Sequence, residues 1–405
     1  MPSTIYQTEI ARTREAVESL RDVWKGLHSR LDADIDFFLE FMKVHADFAL
    51  RPHVIALRKD ARIVTILPGR LERQSMRMRV GYRWIELPKV NQLIFIGQLL
   101  GEDGNEAIAE IMKGIQTSLR QKEADAALFH HVDSQEPLHG MLENAGSILT
   151  RDYFQDSEEN WKTRISGDYQ AFLKSRSGNT RHNIRRYSKR LLDAFPGKVE
   201  HRIFREAKDL PAVFRDCETI AAKSYHRGLG VGFFDDAATR QLFTLAATQG
   251  WLRSYVLYLD GRPSAFWNGL LYRDTFEARV TAYDAQLSGL RPGLYLLQRL
   301  VEDLCANGSV RELDFGTGSA QYKRDMCDIS RIRVSKLLFA PSFKGIAVNG
   351  LRTPLLALTH GARWILTRLG FFAKIRKEWR SRLSAKDPVQ HPDKTIPAVE
   401  RQHDA

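Results

Sequence analysis

The chain has 405 residues, more than one hydrophobic core organises, and this predicts two domains of about 150–200 residues and a tail. With 43% hydrophobic and 27% charged residues, 27 glycines and 14 prolines, the composition excludes collagen-like, disordered and disulfide-scaffold classes. The net charge of +12 gathers in two stretches, 161–208 with 13 basic against 4 acidic residues and 344–386 with 10 against 1, so an anionic partner is implied: cofactor phosphate, nucleic acid or acidic lipid.

Cys217, Cys305 and Cys327 show neither Cys-x-x-Cys nor histidine spacing, which signals no disulfide framework and no zinc site. The first residues hold no apolar signal-peptide core, and no run approaches the roughly 18 apolar residues of a spanning helix. The expectation is a cytoplasmic protein in a reducing compartment.

Up to about residue 50 the pattern predicts two amphipathic helices, the first with Ile10, Ala16, Val17, Leu20 and Val23 at helical spacing. Strands at 54–58 and 63–67 flank a turn at 59–62, a third strand follows at 76–80, and a fourth, apolar one at 93–100. A break at 101–105 precedes a helix marked by Ile108, Ile111, Met112, Ile115 and Leu119, then a strand at 126–132. The second half keeps this order. Helices at 168–174, 180–195, 210–226 and 236–249 lead to strands at 255–259 and 264–272 around the turn Asp260-Gly261, and to an alternating strand at 275–283. A loop at 288–293 opens a helix with the stripe Leu294, Leu297, Leu300, Val301 and Leu304, stopped by Asn307-Gly308, and a strand at 310–315 follows. The fold class is α/β (α+β), two copies of a unit with a mixed central sheet flanked by helices.

A strand that feeds a short glycine-bearing loop into a helix brings free backbone N–H groups and the positive helix end to one point, where phosphates bind. The loop of the second half carries Gly289, Leu290, Arg291, Pro292, Gly293 and Leu294, and no acidic residue stands between Leu287 and Gln298. The matching loop of the first half holds Glu102 and Asp103, which repel a diphosphate. Only the second half is therefore expected to bind a phosphorylated cofactor; a plain capped turn accounts for the same residues.

Further features narrow the class: Tyr283-Asp284 ends a strand, Gly289 to Gly293 opens the next helix, Asp314-Phe315-Gly316-Thr317-Gly318 ends another strand, Tyr322-Lys323 follows, and Asn183-Ile184-Arg185-Arg186 lies in the basic helix. Over residues 161–336 this resembles the tandem GNAT-fold acetyltransferases of cellulose and exopolysaccharide biosynthesis (CelD-like), relatives of the Fem aminoacyl transferases. The resemblance implies a GNAT fold, acetyl-CoA or another acyl-CoA as donor, no metal, and an amine or hydroxyl acceptor such as a sugar. The strict GNAT phosphate motif has more closely packed glycines than this loop.

Acyl transfer needs a deprotonated acceptor, a stabilised oxyanion and a protonated leaving thiolate. Asp284 and Asp314, expected at the ends of neighbouring strands, are candidate bases, Tyr283 or Tyr322 candidate acids, and Lys323 a candidate partner of oxyanion or phosphate. Gly228 to Gly232 follows a helix, not a strand, which rejects a dinucleotide motif, and Asp314-Phe315-Gly316 lacks every other kinase element. No Gly-x-Ser-x-Gly elbow appears, and His130-His131 has no metal-ligand companions. The basic run 181–190 is either a solvated face or a contact for an anionic acceptor or the coenzyme's adenosine phosphate. Residues 362–385, with Ile365, Leu369, Phe372, Ile375, Trp379 and Leu383 on one side, form a basic amphipathic helix that either docks on the body or meets the inner face of a membrane.

The expected organisation is a degenerate copy at 1–150, a catalytic copy at 151–345, a basic helical tail at 346–386 and a disordered end at 387–405. The alternatives are an aminoacyl-tRNA-dependent transferase, although no heptad arm of the Fem kind is present, and a non-catalytic membrane-associated scaffold of polysaccharide assembly.

Overall fold

The computed structural model describes residues 6–27, 30–45, 50–80, 83–96, 98–228, 231–318 and 320–368. They fall into two compact units, 6–158 with 332–368 and 159–331. The first begins with β1 (Tyr6–Ala11), α1 (Arg14–Glu18), α2 (Arg21–Leu27), α3 (Ile35–Val44), β2 (Arg51–Pro52), β3 (Val54–Lys59) and β4 (Arg62–Leu67). It continues with β5 (Gly69–Val80), β6 (Arg83–Ile96), β7 (Leu100–Gly101), α4 (Asn105–Arg120), β8 (Ala126–Asp133) and α5 (Pro137–Glu143). The second holds β9 (Asp156–Arg164), α6 (Tyr169–Lys174), α7 (Gly178–Ala194), β10 (Val199–Phe204), α8 (Leu210–Ala221), α9 (Tyr225–Gly228) and α10 (Ala237–Thr248). Then come β11 (Leu252–Leu259), β12 (Arg262–Tyr272), β13 (Thr275–Tyr283), α11 (Pro292–Ala306), β14 (Glu312–Thr317) and α12 (Gln321–Met326). β15 (Ile329–Phe339) and α13 (Phe343–Arg368) return to the first unit.

In the first unit β1, β3, β4 and β7 make one sheet, while β2, β5, β6, β8 and β15 lie side by side in another. β6 and β8 run parallel from Gln92↔Ala126 to Ile96↔His130, and β15 is antiparallel to β8 from Arg333↔Asp133 to Phe339↔Ala126. Helix α4 buries Ile108, Ile111 and Ile115 against Leu93, Phe95 and Phe129, each worth roughly 2 kcal/mol of removed apolar surface. The short strand expected at 76–80 is the end of β5, which pairs with β6 as a long hairpin whose interior accepts Arg70 and Glu72 because they neutralise each other.

His53 is 2% exposed in this core, with Ser118 Oγ 3.3 Å from Nε2 and Glu123 Oε2 3.6 Å from Nδ1. Burial pushes its imidazole from 6.5 down to about 4 despite Glu123. The unfolded chain therefore takes up a proton near pH 6.5 that the native state refuses until about pH 4. Stability should fall by about 3 kcal/mol as pH drops through that window, and urea titrations of a His53→Gln variant should lose that slope.

Helix α13 docks through Val348, Leu355 and Leu356 onto Met76, Met78 and Phe339, while Asn349 Nδ2 donates to the carbonyls of Leu149 and Arg151 and Arg352 pairs with Asp152. Because β15 and α13 complete this core, residues 332–368 belong with the first unit, where the sequence reading ended the second domain at 345 and set a tail apart. The outward side of α13 exposes Phe343, Leu351, Leu358, Trp364 and Ile365. The remainder of the amphipathic stretch and the end expected to be disordered lie at 369–405, outside the described residues. Among the described residues no helix is long and apolar enough to cross a membrane.

The second unit's strands lie in the order β10, β11, β12, β13, β14, β9, antiparallel except β13 with β14. The hairpin of β11 and β12 turns on Asp260 and Gly261 at φ 50 and 73, the left-handed pair a two-residue turn needs. Leu296, Leu297, Leu300, Val301 and Leu304 of α11 pack on Tyr255, Leu257, Trp267 and Phe276. The mixed sheet with flanking helices is the α/β class the patterning predicts.

Candidate active site

The β13–β14 ladder covers Thr275↔Glu312, Phe276↔Leu313 and Glu277↔Asp314, and among the described residues it ends there although β13 continues to Tyr283. The cause lies two residues on. The register against β12 shifts between Asn268↔Val280 and Gly269↔Ala278, which inserts Arg279 as an extra residue and bends the strand. Only glycine fits opposite this bend, since a Cβ at Gly269 would lie 2.3 Å from Phe276 Cζ and 2.5 Å from the Glu277 carbonyl oxygen. A wedge opens between β13 and β14. In the first unit β6 is paired with β8 up to Ile96, and among the described residues the two strands show no such divergence.

Helix α11 begins where β13 diverges. Arg291 caps it in left-handed backbone (φ 53), and its carbonyl accepts the amides of both Leu294 (3.0 Å) and Tyr295 (3.2 Å). Pro292 has no N–H, so of the first turn Gly293 keeps a backbone donor without a backbone acceptor among the described residues. The cradle of several free amides is thus corrected to one amide and the helix dipole, and Leu294 is not a donor, because the left-handed cap tightens the turn. Gly293 is half-buried, Gly289 and Arg291 are exposed and Leu290 is half-buried, while the exposed Tyr283 ring would lie 3.6 Å from a Cβ at Gly293.

The other wall is aromatic. Trp267 Nε1 donates to the Gly293 carbonyl (3.1 Å), and its ring meets Phe315 and Tyr322 edge-on at 6.0 and 5.6 Å. Tyr322, on α12, also packs on Phe315 at 5.9 Å; burial holds its phenol above the ordinary tyrosine range, and its hydroxyl makes no hydrogen bond among the described residues. Gly316 and Gly318, at φ 69 and 91, supply the left-handed turns that take the chain from β14 into α12.

The two aspartates do not converge. Asp314 sits within β14 opposite Glu277, whereas Asp284 directly follows the end of β13, seven residues beyond Glu277 and roughly 20 Å away at strand rise. Both serve local structure. Asp284 accepts from Gln286 N (3.0 Å) and Lys223 Nζ (3.1 Å), and Asp314 from Gly316 N (2.7 Å) and Asn160 Nδ2 (3.1 Å), with Lys162 Nζ at 3.4 Å. Lys323 is buried and donates from its ammonium to the carbonyls of Gly316 and Thr317 at the end of β14.

Sequence reasoning passed over two residues that the fold brings here. Trp267 reads as one more apolar residue of a core strand. His226, read as the end of a helix, is hydrogen-bonded to the backbone of Thr281, the β13 residue paired with Trp267, and burial pushes its imidazole below the ordinary range, keeping it neutral at pH 7. Among the described residues no group of three His, Cys, Asp or Glu could hold a metal ion.

Residues 178–324, from the start of α7 into α12, match the family model described as Acetyltransferase (GNAT) domain. The second unit carries a GNAT acetyltransferase domain. The chain is accordingly an acyltransferase by its domain. No curated protein matches the chain in sequence. Among solved structures, FemX superposes with a TM-score of 0.54 at 10% identity over 82% of this chain and 97% of its own. The C-terminal domain of an Agrobacterium fabrum protein named as a lysylphosphatidylglycerol synthetase gives 0.50 at 12% identity over 84% and 96%. At these identities the likeness is one of fold.

Proposed function

We propose that the GNAT domain moves an acyl group from acyl-CoA to an amine or hydroxyl acceptor, with the first unit a copy that lost donor binding. The observation that carries this reading is the contrast between the two parallel ladders: open beside α11, closed beside α4. The charges agree, since Glu102, Asp103 and Glu106 crowd the start of α4 and no acidic residue stands in the first turn of α11.

In this reading the donor's diphosphate lies at the α11 N-terminus, held by Gly293 N–H and the dipole. The bound donor supplies the thioester. His226, neutral at pH 7, takes the proton from the acceptor, and Tyr322 gives its own to the leaving thiolate; a phenol raised by burial stays protonated until that thiolate forms. The role comes to His226 because neither Asp284 nor Asp314 has an open carboxylate at the wedge. A sugar of an envelope polysaccharide is the acceptor we favour, on the sequence resemblance alone.

Calorimetric titration with acetyl-CoA should give one site per chain in the micromolar range, and mass spectrometry of an amino-sugar panel should show acetylated product. A flat titration at millimolar acetyl-CoA would overturn the reading.

A further inference from the structure

Helix α7 is built with more positive charge than its fold uses. Ser177 caps it, Ile184 and Leu191 face the core, and Arg181 Nη1 donates to the carbonyls of Lys174 and Arg176. Arg185, Arg186, Lys189 and Arg190 pair with no carboxylate among the described residues.

Two guanidinium groups then converge on one ring. Arg186 Cζ lies 4.6 Å from the centroid of Tyr187, and its Nη2 donates to the Tyr187 hydroxyl at 2.7 Å. Arg291 Cζ lies 4.9 Å from the same centroid. Gln298 Nε2 donates to Ser188 Oγ at 2.7 Å and ties α11 to α7, so the pair is held rather than met by chance. Arg291 reaches its place only through the left-handed backbone at φ 53, which glycine would adopt without strain. The two cations also draw the half-buried Tyr187 phenol toward its ionised form, Arg186 through its hydrogen bond above all. Two guanidinium groups gathered on one ring repel each other, and a phosphate relieves that repulsion because guanidinium forks match phosphate oxygens.

We infer that Arg186, Tyr187 and Arg291 form a clamp for the 3′-phosphate of the donor's nucleotide. Arg291 is two residues from Gly293, and in coenzyme A the 3′-phosphate and the diphosphate hang from one ribose, so two anion-binding features side by side fit the two anionic groups of this ligand. The inference rests on the acyl-CoA reading above and adds which end of the donor is selected, and by what.

The test compares the dissociation constants of acetyl-CoA and 3′-dephospho-acetyl-CoA for the full chain and two variants. The unaltered protein should bind acetyl-CoA about 10- to 100-fold more tightly than the dephospho form. Arg186→Ala should weaken acetyl-CoA about tenfold and leave the dephospho form unchanged. Arg291→Gly should also erode the preference, while relief of the left-handed strain keeps its melting temperature at or above that of the unaltered protein, so a loss cannot be put down to unfolding. Equal affinity of the unaltered protein for both ligands, or equal weakening of both by Arg186→Ala, overturns the clamp while the acyl-CoA reading stands. Failure of both ligands to bind overturns both, and steeply salt-dependent tRNA binding in their place would assign these cations to a nucleic acid backbone.

Discussion

Tyr322→Phe is expected to lower kcat for acyl transfer by roughly 10²- to 10³-fold while the dissociation constant of acetyl-CoA stays within about twofold, the size general-acid groups contribute. The substitution removes one oxygen and keeps the ring that packs on Trp267 and Phe315, so the aromatic wall survives and the melting temperature should hold. His226→Gln supplies the matching test on the other proton. Its imidazole is lowered below the ordinary range, so activity should be flat near neutrality and fall as acid protonates the base; the glutamine variant should lose that acid limb along with most of kcat. Full activity in Tyr322→Phe would remove the phenol from the mechanism.

Gly293→Asp should separate folding from donor binding by moving them in opposite directions. A carboxylate in the first turn of α11 interacts favourably with the helix dipole, worth about 0.3–1 kcal/mol, and a Cβ there meets Tyr283 Cδ1 at an ordinary 3.6 Å. The same charge about 5 Å from a diphosphate, at an effective dielectric constant of about 20, costs roughly 3 kcal/mol. Acetyl-CoA affinity should therefore drop about 10²-fold in calorimetry, with thermal unfolding unchanged or slightly later. Retention of affinity would show that the donor's phosphates lie elsewhere.

What could be read from the sequence follows the range of the interaction concerned. Asp260-Gly261 and the stripe Leu294, Leu297, Leu300, Val301 and Leu304 are local, set by turn sterics and helical spacing, and both elements stand where patterning put them. Hairpin β5–β6 was seen only at its ends, because Glu72, Arg73 and Gln74 in its middle carry no apolar alternation. The aspartates were misplaced for a different reason. Their separation depends on the register between β13 and β14, two strands joined through a whole helix, and on a bulge at Arg279 that no residue nearby announces. Trp267 and His226 were invisible for the same cause: each is defined by what the sheet brings opposite it.

The chain path through the two units sets the order in which they can be finished during translation. The GNAT domain is one uninterrupted stretch, 159–331, whereas its neighbour waits for β15 to cover β8 and for α13 to close over Met76 and Met78. On the ribosome the later-encoded unit can therefore mature first, while the earlier one carries an unpaired strand edge until β15 has been made. Expressed alone, 159–331 should give a sound product, whereas a fragment that stops near residue 160 should be aggregation-prone.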